Sequence, residues 1–173
     1  MNKNISEIKS KLGNSSDIVV RYLKNISYIY LESVSSDDKI SNFLLKSITK
    51  LSDIDNLFNA LKENIYNSHI EILSDINESY YYLSSGYTCL FINNENKYIV
   101  IETKLKLDRG VTESSSEPLI RGPKDSFTEN NAINLGLIRK RIKDPKLRVD
   151  ELKLGRRTNS KTSIIYIDDI VNK

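Results

Sequence analysis

Sulfur and imidazole are nearly absent from this 173-residue sequence, in which cysteine and histidine occur once each. A lone Cys89 excludes a disulfide framework and a thiolate metal cage, and its apolar neighbours suit a small buried hydrophobe. A lone His69 excludes any paired-histidine metal motif, and its position just before an apolar run suits a surface or half-buried side chain. Glycine, at six, and proline, at three, are also scarce. No Gly-x-x-x-x-Gly-Lys-Ser/Thr, Gly-x-Gly-x-x-Gly or Gly-x-Ser-x-Gly occurs, which removes the phosphate cradles and the serine nucleophile elbow. A membrane span needs about 20 consecutive apolar residues. The most apolar stretches here, 89–92 and 164–167, are only strand-length. Residues 1–11 lack the apolar core and cleavage site of a secretory signal. The expectation is a soluble chain with an intracellular start, frayed over residues 1–14.

What is present is ordinary globular material. Hydrophobic residues make up 39% and charged residues 28%, enough for one sizeable core or two small lobes. The net charge of +3 is unevenly spread: residues 139–161 hold ten Lys/Arg against three acids, which leaves sixteen against twenty elsewhere from totals of 26 and 23. A basic C-terminal region follows a slightly acidic body.

β-Branched and aromatic runs at 17–22 and 26–31, separated by Leu23-Lys24-Asn25, predict an antiparallel hairpin. From Ser35 the period lengthens: Ile40, Phe43, Leu44, Ile48 and Leu51 recur at helical spacing behind Asp37 and Asp38, which suit a helix N-terminus. Ser52 and Asp55 resemble a capping pair for a second stripe of Ile54, Leu57, Phe58, Leu61 and Ile65. A short strand at 70–73, a short helix at 75–83 and a left-handed stop at Gly86 come next. The runs 88–92 and 97–101, joined by Asn93-Asn94-Glu95-Asn96, predict the clearest hairpin.

Residues 103–128 lose periodicity and read as a long loop. Ser126-Phe-Thr-Glu129 has the form of a capping box opening a helix that Arg139, Lys140, Arg141 and Lys143 close and Pro145 ends. Two further strands, 149–154 and 162–167, flank a turn at 155–160. Together these predict an α/β fold, α+β-like, with a mixed sheet of mixed or antiparallel strand pairs and flanking helices. Residues 15–173 form a single αβ lobe, with no internal repeat.

Few constellations carry chemistry. Glu102-Thr-Lys104 at a strand end has the form of half a metal-dependent nuclease site, in which a carboxylate holds a divalent ion and a lysine stabilises developing charge on phosphate. Such a site needs a second acid, for which Asp75 is the nearest candidate; solvated charges at a strand end are the plainer account. The basic residues from Arg139 to Lys161 suit an anionic membrane surface, an acidic partner or nucleic acid, or simply a solvated helix end and loop. Aromatic interleaving of the kind single-stranded nucleic acid needs is missing, which favours a membrane or acidic partner. Successive tyrosines, Tyr80, Tyr81 and Tyr82, point in different directions on a helix and read as lobe-interface residues.

The string from Glu117 through Arg121-Gly122-Pro123 and Phe127-Thr128-Glu129, followed by Asn134-Leu-Gly-Leu-Ile-Arg139, resembles the A subunits of GerA-type spore germinant receptors. The likeness continues through Asp144-Pro-Lys-Leu-Arg148, Gly155-Arg156-Arg157-Thr158 and Ile164-Ile-Tyr-Ile167. It departs from the family at Ser114, where proline is usual, and at Ser126, where glycine is usual.

The resemblance implies the N-terminal soluble domain of a membrane subunit, on the cytoplasmic side of the spore inner membrane, with this chain the first of two lobes and membrane helices following it. It implies a role in receptor assembly and signal transduction in germination, with a germinant-binding domain as the alternative to weigh, and a metal-dependent nuclease or nucleic-acid module as the other. Its implied partners are the B and C subunits, other copies of the A subunit and a nutrient germinant, with no nucleic acid. No cofactor, metal or catalytic residue is implied. Arg121, Gly122, Pro123, Phe127, Glu129, Arg156 and Arg157 are expected to shape structure or interface. In particular, Arg121 and Phe127 orient the long loop against the core or a neighbour, Arg121 through pairing with Glu117 or Glu129 or through a partner subunit.

Overall fold

The N-terminal segment expected to be frayed is instead a helix. In the computed structural model, which describes residues 3–51, 56–67, 69–107 and 127–172, Lys3–Lys11 forms α1. Ile5, Ile8 and Leu12 recur at three- and four-residue steps, and all are fully buried. Burial of that single apolar stripe orders a segment whose other residues are mostly polar.

The predicted first hairpin is β1 (Ile18–Leu23) and β2 (Ile26–Leu31), with Leu23 paired to Ile26 across Lys24-Asn25. Lys24 adopts a positive φ of 45° in the tight turn. The helical stripe from Ile40 to Leu51 is one winding path: α2 (Asp37–Lys39), a π-helical turn over Ile40–Leu45, and α3 (Lys46–Leu51). Ser36 caps it by accepting from the Lys39 amide. Ser52 and Asp55 lie outside the described residues, and α4 (Leu57–Asn64) is capped by the Asn56 side chain.

Next come β3 (Ile70–Leu73), a 3-10 turn at Ile76–Glu78 capped by Asp75, and α5 (Ser79–Ser84). Gly86 follows at φ +85°, the left-handed stop the sequence predicted. β4 (Tyr87–Ile92) and β5 (Tyr98–Glu102) make the second hairpin. Later in the chain come α6 (Asn131–Arg141), β6 (Leu147–Leu154) and β7 (Ser160–Ile167).

A five-stranded sheet in the order β1-β2-β4-β5-β3 forms the middle layer. Every strand pair among the described residues is antiparallel, so the antiparallel form of the predicted α+β sheet is the one realised. Side chains of successive strand residues alternate between its faces. Ile29, Leu31, Cys89, Phe91, Tyr98 and Val100 meet α1, α5 and Leu137 of α6 on one face. Tyr28, Tyr30, Leu90, Ile92, Ile99 and Ile101 meet Ile40, Leu44, Ile48 and Leu61 on the other. Helices on both faces explain why β2, β4 and β5 read as unbroken apolar runs, with no polar alternation.

Cys89 sits at the centre of this sandwich, where burial pushes its thiol pKa up. Labelling by a thiol reagent therefore requires β4 to open, and native labelling should be slower than labelling in denaturant by roughly 10³-fold or more. Comparable rates in the two conditions would contradict the central placement of β4.

Candidate functional site

A cation buried away from water survives only when it is paired with an opposite charge and well hydrogen-bonded. Arg139 of α6 is fully buried. Its Nε donates to Asp17 Oδ2 at 3.0 Å and one terminal nitrogen donates to Asp17 Oδ1 at 2.8 Å, a two-pronged contact with a single carboxylate. The same terminal nitrogen donates to Ser15 Oγ at 2.9 Å, and the other donates to the Leu147 carbonyl at 3.0 Å. Asp17 also accepts from Ser15 Oγ at 2.9 Å and from Ser33 Oγ at 2.6 Å.

The partners come from distant parts of the chain: the approach to β1, the turn after β2, the helix α6 and the start of β6. Close approach of α6 depends on Gly136, where a side-chain methyl would run into the Ser33 carbonyl oxygen.

This cluster carries the β6–β7 hairpin, a second, two-stranded sheet. The Val149 amide donates to Ser15 Oγ at 2.8 Å and the Ser16 amide donates to the Val149 carbonyl at 2.8 Å, so residues 15 and 16 cover the free edge of β6. Asn131 of α6 donates to Ser163 Oγ at 2.7 Å. Leu147 and Val149 are buried beneath the hairpin.

The register pairs Asp150 with Ile164, Leu152 with Thr162 and Leu154 with Ser160, which puts Leu152, Leu154 and Ile164 together on the opposite face. Leu154 is 53% and Ile164 50% exposed. Gly155, at φ +86°, turns the chain at the tip, where Arg156 and Arg157 are exposed. The hairpin thus presents an apolar face beside a basic tip.

Other predicted residues fall elsewhere. Glu102 pairs with Lys104 at 3.7 Å and lies 3.9 Å from the exposed His69. Asp75 is not near them: β3 pairs Leu73 with Tyr98, whose hydroxyl donates to the Asp75 carbonyl, whereas Glu102 ends β5. Four residues along the strand is roughly 13 Å. The two acids of the nuclease reading are therefore not brought together.

The capping box is also corrected. Ser126 lies outside the described residues, and the cap of α6 is Asn130, whose side chain accepts from the Ala132 and Ile133 amides. Asparagine is among the strongest N-cap residues, and it displaces the cap beyond the Ser/Glu pair. Asn134 fixes the lead-in by accepting from the Thr128 amide and donating to its carbonyl, both at 2.7 Å. Glu129 is exposed and Phe127 is 65% exposed, while Arg121, Gly122 and Pro123 lie outside the described residues. Of the basic residues assigned to a helix end, Arg139 is the one that turns inward; its partner Asp17 read only as the start of a strand.

Residues 6–173 match the family model described as Bacillus/Clostridium GerA spore germination protein. Stage V sporulation protein AF of Bacillus subtilis is 28% identical over 168 residues, which is 93% of this chain and 34% of that protein. Spore germination protein KA of the same organism is 25% identical over 181 residues, 99% of this chain and 33% of that protein. The chain thus spans about a third of the length of these curated relatives. Among solved structures, the N-terminal domain of the A subunit of the Bacillus megaterium spore germinant receptor GerK3 superposes with a TM-score of 0.74 at 26% identity. That match covers 99% of this chain and 66% of the solved chain.

Removing one member of the buried pair strands the other. Arg139→Ala should lower the unfolding free energy by about 3–5 kcal/mol in chemical denaturation, and Arg139→Lys should recover little of it because an ammonium cannot span both carboxylate oxygens and the Leu147 carbonyl. A loss below about 1 kcal/mol for Arg139→Ala, the scale of an exposed pair, would contradict a buried clamp.

Proposed function

This chain belongs to the Bacillus/Clostridium GerA spore germination protein family, and on that premise we propose that it is the first lobe of the N-terminal domain of a germinant receptor A subunit, working in assembly and signal relay. The observation that carries this reading is the apolar face of Leu152, Leu154 and Ile164, held rigidly to the body by the buried Arg139–Asp17 pair. An exposed apolar patch on a fixed frame beside charged residues is what a docking surface requires. Arg156 and Arg157 flank that face and set its charge.

The domain has no catalytic role in this reading, and the separation of Asp75 from Glu102 supports that against a nuclease. Among the described residues no helix is long and apolar enough to cross a membrane. In this reading the lobe lies on the cytoplasmic side of the spore inner membrane. Its partners are the B and C subunits and other copies of the A subunit. The exposed Phe127 reaches a neighbour in the receptor, and Arg121 orients the loop that leads to it.

Leu152→Thr with Ile164→Lys, introduced into the full-length A subunit, keeps strand propensity at one position and sets a lysine opposite Asp150 at the other, and should leave the stability of the lobe within about 1 kcal/mol. The same pair should sharply reduce recovery of the B and C subunits with the A subunit and slow nutrient germination of spores. Normal germination and normal co-purification would refute the docking surface. A nutrient that raised the thermal midpoint of this chain would instead favour the germinant-binding alternative, since a ligand specific to the native state stabilises it by mass action.

Phe127→Ala should weaken nutrient germination and recovery of the B and C subunits by more than its change in the unfolding midpoint accounts for. If neither Phe127→Ala nor Arg121→Ala altered stability or germination, the assignment of both residues would fall.

A further inference from the structure

Between α5, the end of α6 and the segment leaving β5 lies a cleft of about 570 Å³. This is within the range of small-molecule sites, roughly 300–1,000 Å³. Five lysines line it: Lys39 from α2, Lys104 and Lys106 from the strand leaving β5, and Lys140 and Lys143 from the end of α6. Glu102 is the one carboxylate among the described lining residues. Lys140 and Lys143 also complement the carbonyl end of α6, but the other three come from elements with no such need.

Like charges gathered from separate elements repel one another, and that repulsion is relieved when an anion enters. Desolvation works against the Lys104 ammonium, and the Tyr87 hydroxyl and the Glu102 carboxylate outweigh it, so its pKa stands above the ordinary lysine value.

The walls are not uniformly charged. Lys104 Nζ donates to the Tyr87 hydroxyl at 3.2 Å and lies 4.6 Å from the centre of that ring, and Lys143 Nζ lies 4.8 Å from the centre of the Tyr81 ring. Two flat rings with ammonium groups over them offer stacking surface next to positive charge.

The floor carries an independent sign of a ligand. Ser84 is fully buried at the end of α5 and lines the cleft, and its hydroxyl has no hydrogen-bond partner among the described residues. The hydroxyl of the neighbouring Ser85, also in the lining, has none among the described residues either. Buried hydroxyls left unpaired are uncommon and costly, and they are satisfied when an acceptor arrives.

We propose that this cleft is a binding site for a small phosphate-bearing molecule, its anionic group held by Lys104, Lys106 and Lys143 and by the Ser84 hydroxyl, with Tyr81 and Tyr87 flanking the remainder. The proposal goes beyond the receptor assignment and is independent of it, because the docking face of the hairpin contributes no residue to the cleft. Phosphate chemistry fits a cluster of point-like ammonium groups. A phosphorylated metabolite and a lipid headgroup share that chemistry.

The test uses the 173-residue chain with three probes: inorganic pyrophosphate, ADP, and vesicles of phosphatidylcholine with and without phosphatidylglycerol. Calorimetry should detect binding that weakens as salt is raised, with Lys104→Gln and Lys143→Gln each reducing affinity about tenfold. Ser84→Ala should weaken binding several-fold with an undiminished unfolding midpoint, and it tests the site even if a lysine variant fails to fold. Lys153→Gln with Lys161→Gln, on the distant hairpin, should change nothing. Binding to the soluble probes identifies a metabolite site, and binding only to phosphatidylglycerol vesicles identifies a headgroup site. The proposal is overturned if no probe binds at millimolar concentration, if Ser84→Ala binds like the parent, or if the hairpin variant loses as much as the cleft variants.

Discussion

A guanidinium withdrawn completely from water fixes its surroundings more tightly than any apolar contact, because each donor left without an acceptor would cost several times what a made hydrogen bond returns. Arg139 makes four described hydrogen bonds, to Asp17, Ser15 and the Leu147 carbonyl. Those acceptors are spread over separate parts of the chain, so α6 can sit in one place only. The hairpin follows, because the Ser15 hydroxyl that receives Arg139 also receives the Val149 amide. A pair of this kind adds little net stability over an apolar substitute, and what it contributes is uniqueness of arrangement.

That arrangement explains the segment carrying the family resemblance. In Asn134-Leu-Gly-Leu-Ile-Arg139, Leu135, Gly136, Leu137 and Arg139 are buried, and Asn134 clasps the backbone of Thr128. Each residue meets a separate physical demand. Leu137 enters the core, Gly136 admits the Ser33 carbonyl, Arg139 closes the clamp and Asn134 aligns the incoming loop. The string specifies how one helix docks.

Much of the fold was legible in the sequence, and the residues that were misread share a cause. Both hairpins of the large sheet, the Ile40–Leu51 helical path and the Gly86 stop show local signals of composition and spacing, and they stand where those signals put them. Residues 1–14 read as frayed because Ile5, Ile8 and Leu12 are isolated among lysines, serines and asparagines, and only the sheet beneath them makes a helix worthwhile. The α6 cap moved because Ser126, Asn130 and Asn131 all suit a helix start, and local chemistry does not rank them. Arg139 was hidden in a basic run that fits a solvated helix end, since its acceptor lies more than a hundred residues away, at Asp17. The cleft lysines were invisible for the same reason, being drawn from α2, the β5 exit and α6.

The hairpin and the body are therefore coupled in a particular way. Residues 15 and 16 occupy the free edge of β6, whereas no described strand pairs with the outer edge of β7. A load applied to the apolar face of Leu152, Leu154 and Ile164 would be carried inward through Val149 to Ser15, and from there to Asp17 and Arg139. An apolar interface there could slide by fractions of an ångström, but a two-pronged ion pair in a dry interior has no intermediate position with its donors satisfied. The hairpin is therefore joined to the body by a directional hydrogen bond to a Ser15 hydroxyl that Arg139 itself holds in place. In the receptor reading proposed above, a joint of this kind lets the hairpin and the body answer a neighbouring subunit as one unit.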